Sequence, residues 1–125
     1  MKRILLTVCT AVLACSMAMA ESLITFTSKT HEFGNVKENG GPVTAKFEFV
    51  NDGDTPLVII SANATCGCTR PKYPTDPVKP GGKGVIKVTY LPKGRPGEFE
   101  KTVKVRTTSK KNKQVVLKIS GVVVP

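Results

Sequence analysis

The sequence predicts an all-β fold, an antiparallel β-sandwich of about seven short strands. Two observations lead to this prediction. Polar and apolar residues alternate in several segments, and turn-forming residues separate these segments at intervals of about ten residues. A period of two points alternate side chains to one face of a strand, so each segment can bury one face in a shared core.

The alternation is clear in four segments, at 44–49, 86–90, 101–106 and 115–120. Each contributes an apolar side chain to the same side, and we expect Phe47, Val88, Val105 and Leu117 to share one core between the sheets. The predicted strands are 23–27, 32–36, 43–51, 57–61, 84–90, 99–107 and 114–124.

Glycine, asparagine and proline clusters mark the turns between these strands, for example at 39–42, 80–82 and 92–97. The stretch 69–79 contains three prolines, which cannot donate to a central hydrogen-bond ladder, and we expect it to be an irregular connection. Short strands at this spacing are typical of an immunoglobulin-like sandwich.

The first twenty residues have the organisation of a signal peptide. Lys2 and Arg3 precede an apolar stretch at 4–14, which is too short to span a bilayer. Ala18 and Ala20 are small residues at the positions that a signal peptidase reads. We therefore expect residues 1–20 to be removed by cleavage between Ala20 and Glu21, and residues 21–125 to form one domain in the periplasm or at the cell surface.

A second interpretation of the same segment is a lipoprotein signal. Residues 12–15, Val-Leu-Ala-Cys, approximate a lipoprotein box in which Cys15 becomes the lipidated first residue. The Ala-x-Ala site is the better match, so cleavage after Ala20 is preferred. Only lipidation of Cys15 would attach the protein to a membrane.

The predicted mature domain is strongly basic. Removing Lys2 and Arg3 leaves 17 of the 19 basic residues against 9 acidic ones, a formal charge of +8. The preferred interpretation of this charge is solubility alone. The alternative is an anionic partner, and the predicted export then favours an anionic envelope polymer or lipid headgroups over nucleic acid. The lysines alternate with apolar residues along the strands, so we expect them to be spread over solvated faces. An envelope protein is the other partner class that we expect.

The order of short motifs resembles a known bacterial family. Phe33-Gly34-Asn35-Val36 is followed by a Phe-Glu-Phe-Val-Asn run at 47–51, by Pro-Leu at 56–57, by Cys-Gly-Cys-Thr at 66–69 and by Pro-Gly at 80–81. This pattern resembles the domain of unknown function 1573, which is similar to immunoglobulin-like domains of the abnormal-spindle/Hydin type and to the major sperm protein fold. The resemblance implies the fold and export, and it implies no established activity.

The predicted mature chain keeps two cysteines, Cys66 and Cys68, separated by Gly67. Residues i and i+2 of an extended segment face the same way, and glycine adopts backbone angles that other residues avoid, so the two sulfurs can meet. One interpretation is a stabilising disulfide, although closing a three-residue loop contributes only about 1.6 kcal/mol.

Two further interpretations of the cysteine pair stay open. A disulfide in so small a ring is easily reduced, and Arg70 or Lys72 could favour the thiolate, which suggests redox activity. Alternatively, two thiolates suit a soft ion such as Cu(I), but the site needs more ligands, and His31 is the single histidine. We expect no other cofactor.

The sequence favours a protein that is not an enzyme. It has a single histidine, which limits acid–base and triad catalysis, and no evident pair of carboxylates. The preferred interpretation is an exported binding or structural module of the bacterial cell envelope. The alternative is a thiol redox or soft-metal-handling protein that uses Cys66 and Cys68.

Overall fold

The structure, a computed structural model, describes residues 21–125. The predicted signal peptide, with Ala20 at its end and the alternative lipidation site Cys15, lies outside the described residues. Residues 21–125 contain no helix that is long and apolar enough to cross a membrane. The eight strands found there are β1 Ile24–Phe26, β2 Thr30–Lys37, β3 Val43–Asn51, β4 Ile59–Ala64, β5 Thr69–Lys72, β6 Lys83–Tyr90, β7 Gly97–Thr107 and β8 Gln114–Val124.

These strands form two sheets of four strands each. The first sheet has the order β1-β3-β6-β5, and the second sheet has the order β2-β8-β7-β4. The predicted all-β immunoglobulin-like sandwich is confirmed, with eight strands rather than about seven. One detail of the prediction is wrong, because β2 pairs with β8 in parallel, whereas the other pairs are antiparallel.

The additional strand is β5, within the stretch that we expected to be irregular. Thr69–Lys72 pairs with β6 along one side only, so it is an edge strand of the first sheet. An edge strand tolerates Pro71, which lacks an N–H group. The fourth strand also begins two residues later than predicted, because Leu57 forms an isolated bridge with Val78 instead.

The core lies between the two sheets. Phe47, Val88, Val105 and Leu117 each have at most 2% of their surface exposed, which confirms the predicted shared core. Near one end of the sandwich, the Tyr90 ring of β6 stacks on the Phe99 ring of β7, with centroids 3.9 Å apart. This stack joins the two sheets close to residues 65–68, through which the chain passes from the second sheet to the first.

Candidate functional site

The two cysteines lie where the chain crosses from one sheet to the other. β4 is an edge of the second sheet and β5 is an edge of the first, and residues 65–68 connect them. We call these four residues the corner. The Thr69 N–H donates to the Cys66 carbonyl oxygen at 3.1 Å, and the Leu91 N–H donates to the Cys68 carbonyl oxygen at 2.8 Å. The corner is therefore held at both ends by backbone hydrogen bonds.

Within the corner, the sulfurs of Cys66 and Cys68 are joined in a disulfide, and the two Cα atoms are 5.2 Å apart. Cys68 is 1% exposed and belongs to the core, whereas Cys66 is half-buried. The Cys68 N–H donates to the Cys66 sulfur at 3.2 Å. A bonded sulfur carries no hydrogen, so the Thr69 hydroxyl is the donor in its 3.5 Å contact with the Cys68 sulfur. Cys68 is thus part of the core, and Cys66 packs against the core while staying partly accessible.

Gly67 does not have the role that the sequence suggested. Its φ is not among the positive values in the chain, so the two sulfurs meet without a backbone conformation reserved for glycine. A Cβ atom added to Gly67 would have no heavy atom within 4 Å. The expectation that glycine is needed to tighten the backbone here is therefore wrong.

Beside the corner, three connections between strands form an open groove of about 640 Å³. Its wall includes apolar side chains, and two basic side chains, Lys93 and Arg95, also line it. The lining residues are Glu38, Asn39, Gly41 and Pro42 from the β2–β3 connection, Gly67 and Cys68 from the corner, and Leu91, Pro92, Lys93 and Arg95 from the β6–β7 connection.

A shallower recess of about 570 Å³ lies beside the corner, and Gly67 lines both concavities. This recess brings Arg70 together with Cys66. Lys72, the other basic residue that we expected near the sulfurs, lies opposite Lys87 in the first sheet and lines neither concavity. Of the two basic residues that we expected near the sulfurs, only Arg70 shares a concavity with a cysteine.

The structure does not add a third ligand to the predicted Cu(I) site. Within residues 21–125, no group of three or more histidine, cysteine, aspartate or glutamate side chains is placed to hold a metal ion. The sulfurs of Cys66 and Cys68 are bonded to each other, and a metal would require two free thiolates. His31 lies exposed on β2, with its ring 4.6 Å from the Phe33 ring. Metal binding therefore stays a prediction that depends on prior reduction.

The groove was not predicted from the sequence. Pro42, Pro92 and their neighbours were recognised only as turn residues, and the basic pair Lys93 and Arg95 only as part of the general charge. Three connections far apart in sequence meet at one end of the sandwich, and only the strand order shows that they do. The groove exists because two turn segments lie next to the corner in space, and nothing in the sequence indicates that they do.

The family of the chain can now be stated. Residues 24–123 match the family model described as "Protein of unknown function (DUF1573)". The chain belongs to this family. The resemblance noted in the sequence is thereby confirmed, including its likeness to abnormal-spindle/Hydin (ASH) domains, which the solved structures below support. No curated protein matches the sequence at a significant level.

Solved structures of low sequence identity share the fold. A protein of unknown function from Porphyromonas gingivalis W83 matches with a TM-score of 0.73 and 15% identity, over 86% of this chain and 50% of that one. The ASH/PapD-like domain 7 of human CEP192 matches with a TM-score of 0.62 and 17% identity, over 83% and 87%. The periplasmic chaperone SfaE matches with a TM-score of 0.56 and 10% identity, over 82% and 58%. The chain thus spans half the length of the Porphyromonas gingivalis protein.

Proposed function

We propose that the protein is an exported binding module of the bacterial cell envelope that holds a segment of a partner protein in the groove beside the corner. The groove is the observation that carries this proposal. It is assembled from three connections on a rigid sandwich, which is where immunoglobulin-like domains commonly place binding residues.

The chemistry of the groove indicates the kind of segment. Pro42 and Leu91 offer apolar surface, and Lys93 and Arg95, in the same connection as Leu91, offer two positive charges against the one carboxylate of Glu38. A few polar groups in a mostly apolar groove orient a ligand and make it specific. We therefore expect a partner segment with an apolar side chain next to an acidic one.

The fold and the N-terminal sequence support the same proposal. SfaE, a protein with this fold, is described as a periplasmic chaperone, which is a binding function in the bacterial envelope. The basic, apolar and Ala-x-Ala parts of residues 1–20 favour export. A binding role in the envelope is therefore our proposal for this domain as well.

The test is site-specific crosslinking in the expressing bacterium. A photo-reactive amino acid, p-benzoylphenylalanine, replaces Lys93 in the groove, and illumination is expected to give a discrete adduct in the envelope fraction. Adding Arg95→Glu should abolish the adduct, because it places a negative charge where an acidic side chain is bound. Mass spectrometry of the same protein should show a mature N-terminus at Glu21.

The matched control places the photo-reactive residue at Lys111, in the β7–β8 connection at the opposite end of the sandwich. Lys111 and Lys93 are both exposed, so random collision would label both positions. Equal adducts at the two positions, or an adduct at Lys93 that survives Arg95→Glu, would show that the groove does not bind a segment.

A second candidate function is thiol redox activity, and the half-buried state of Cys66 favours it. A dithiol of a partner could attack this disulfide, leaving two thiols here and a disulfide on the partner. Cys66 is the more accessible of the two cysteines, and Arg70 lies in the recess that Cys66 lines. A nearby guanidinium favours a thiolate after reduction.

A further inference from the structure

The outer face of the first sheet concentrates positive charge. In the strand register, Lys46 lies directly opposite Lys87, and Lys87 lies directly opposite Lys72, so that three lysines form a row across β3, β6 and β5. Arg70 lies two residues from Lys72, and Lys83 lies four residues from Lys87, which places both on the same face. All five residues are exposed. We call them the basic face.

Acidic residues do little to neutralise the basic face. Glu48 on β3 is the one acidic residue in the four strands of the first sheet, and it lies opposite Val85. The ion pair found within residues 21–125 joins Lys118 to Glu100 at 3.4 Å, and it belongs to the second sheet. The five positive charges therefore face solvent without ion-pair partners.

The second sheet is different. Its outer face carries Glu32, Glu98 and Glu100 as well as Lys104 and Arg106, all exposed. Both signs are present there, and one pair of opposite charges is in contact. Basic residues therefore lie exposed on both sheets, and in the strands of the first sheet they outnumber acidic residues by five to one.

The lysine row is unfavourable for folding. Like charges directly opposite each other on neighbouring strands repel and destabilise the sheet. Strands lie about 4.8 Å apart, so the three Cα atoms of Lys46, Lys87 and Lys72 fall within about 10 Å. A bound anionic surface would offset this repulsion. Solubility alone does not require lysines to lie directly opposite each other, so the row favours a binding role.

We propose that the basic face binds the surface of an anionic phospholipid bilayer. The five charges are spread over an area of the sheet and do not lie on one line. The row runs across the strands, whereas Lys83 lies about 13 Å from Lys87 along β6 and Arg70 is displaced along β5 in the opposite direction. A plane of phosphate groups meets all five charges together, whereas a single polymer chain lying along the row leaves Lys83 and Arg70 without partners.

This binding is electrostatic and needs no insertion into the bilayer. Apart from the charged Glu48, the other outward residues of the same strands are small or half-buried, such as Thr44, Thr89 and Val85, and they present no large apolar side chain. Each lysine close to an anionic surface strengthens binding by about fivefold, and the attraction extends only over a Debye length. The proposal concerns a surface separate from the groove and does not rest on the function proposed for the groove.

The experiment is vesicle sedimentation with protein purified as the bacterium processes it. Binding to phosphatidylcholine vesicles is subtracted from binding to vesicles that also contain phosphatidylglycerol. This subtraction removes any binding caused by a lipid attached to the protein or by an uncleaved apolar leader. We expect excess binding to the anionic vesicles that disappears in about 1 M salt, where the Debye length is about 3 Å. Lys46→Gln/Lys87→Gln should reduce this excess by about 25-fold.

The matched control is Lys104→Gln/Arg106→Gln, which lowers the net charge equally but on the second sheet. It should keep most of the anionic-vesicle binding, and thermal melts should show both variants folded. Equal losses in the two variants would reduce the effect to net charge and overturn the proposal. So would the absence of excess binding, or tighter binding of soluble polyphosphate than of vesicles at equal phosphate concentration.

Discussion

At the scale of single residues, the spacing of the two cysteines explains why their sulfurs meet, but it does not explain how deeply each cysteine is buried. Cys66 and Cys68 meet because side chains two positions apart in an extended chain face the same way, and this much the sequence predicted. The different surroundings of the two sulfurs depend on the sheet crossing, which spacing alone does not indicate. Cys68 enters the core because β5 begins directly after it, and β5 was not predicted.

Gly67→Ala provides a test of the corner geometry. Because Gly67 avoids the positive-φ region and its missing Cβ faces open space, alanine should fit. We expect the disulfide to form and the free energy of unfolding to stay the same or rise by up to about 1 kcal/mol, since alanine restricts the unfolded chain. Urea unfolding and a thiol assay measure the two outcomes.

Gly84→Ala is the control for that experiment, because a Cβ atom there would collide with the Phe49 ring. Overpacking of this kind costs about 1–3 kcal/mol. If Gly67→Ala destabilises the protein as much as Gly84→Ala does, the corner requires glycine and its backbone differs from the one described.

At the scale of strands, the sequence predicted what depends on alternation and failed where alternation is weak. β3, β6, β7 and β8 were recognised because each buries one face, as the exposure of alternate residues shows. β5 has only four residues and contains Pro71, so its pattern is too short to predict a strand, and its pairing depends on β6. The parallel pairing of β2 with β8 was also beyond prediction, because a period of two is the same in either direction.

The register of β8 can be tested with a pair of adjacent residues. Leu117 is fully buried, and Leu117→Ala should lower the free energy of unfolding by about 2–5 kcal/mol, through lost burial and the cavity left behind. Lys118→Ala should change it by no more than about 0.5 kcal/mol, because the ion pair with Glu100 is between exposed side chains. Denaturant midpoints at constant slope measure both changes. Similar losses at the two positions would place the strand one residue out of register.

At the scale of the whole molecule, the core between the sheets stabilises the fold, whereas the disulfide lies at the corner. The apolar core between the sheets, including the Tyr90–Phe99 stack, joins residues that are distant in sequence. The disulfide joins residues only two positions apart, so it restricts the unfolded chain very little. The sheets therefore determine whether the protein folds, and the corner is free to serve binding or redox chemistry.

Replacement of both cysteines, Cys66→Ala/Cys68→Ala, tests this division. The loss of loop closure should cost about 1.6 kcal/mol, and removal of the Cys68 sulfur from the core should add less than about 1 kcal/mol. We expect a folded protein whose thermal midpoint is lower by about 5–15 °C. This loss overlaps only the lower part of the range expected for Leu117→Ala alone. A double variant that fails to fold would make the disulfide a structural necessity and remove the main support for redox activity.

Thiol trapping of the wild-type protein in a series of glutathione redox buffers then separates the two proposed functions. A small, partly exposed ring should open in buffers that leave ordinary structural disulfides intact, because closing it gains little from chain entropy. Opening under those conditions, together with a folded double-alanine variant, would support redox activity of Cys66 and Cys68. If the bond resists every such buffer, redox cycling is excluded. The disulfide would then act only as a fixed wall of the groove, and a folded double-alanine variant should give a weaker Lys93 crosslink than the wild-type protein does.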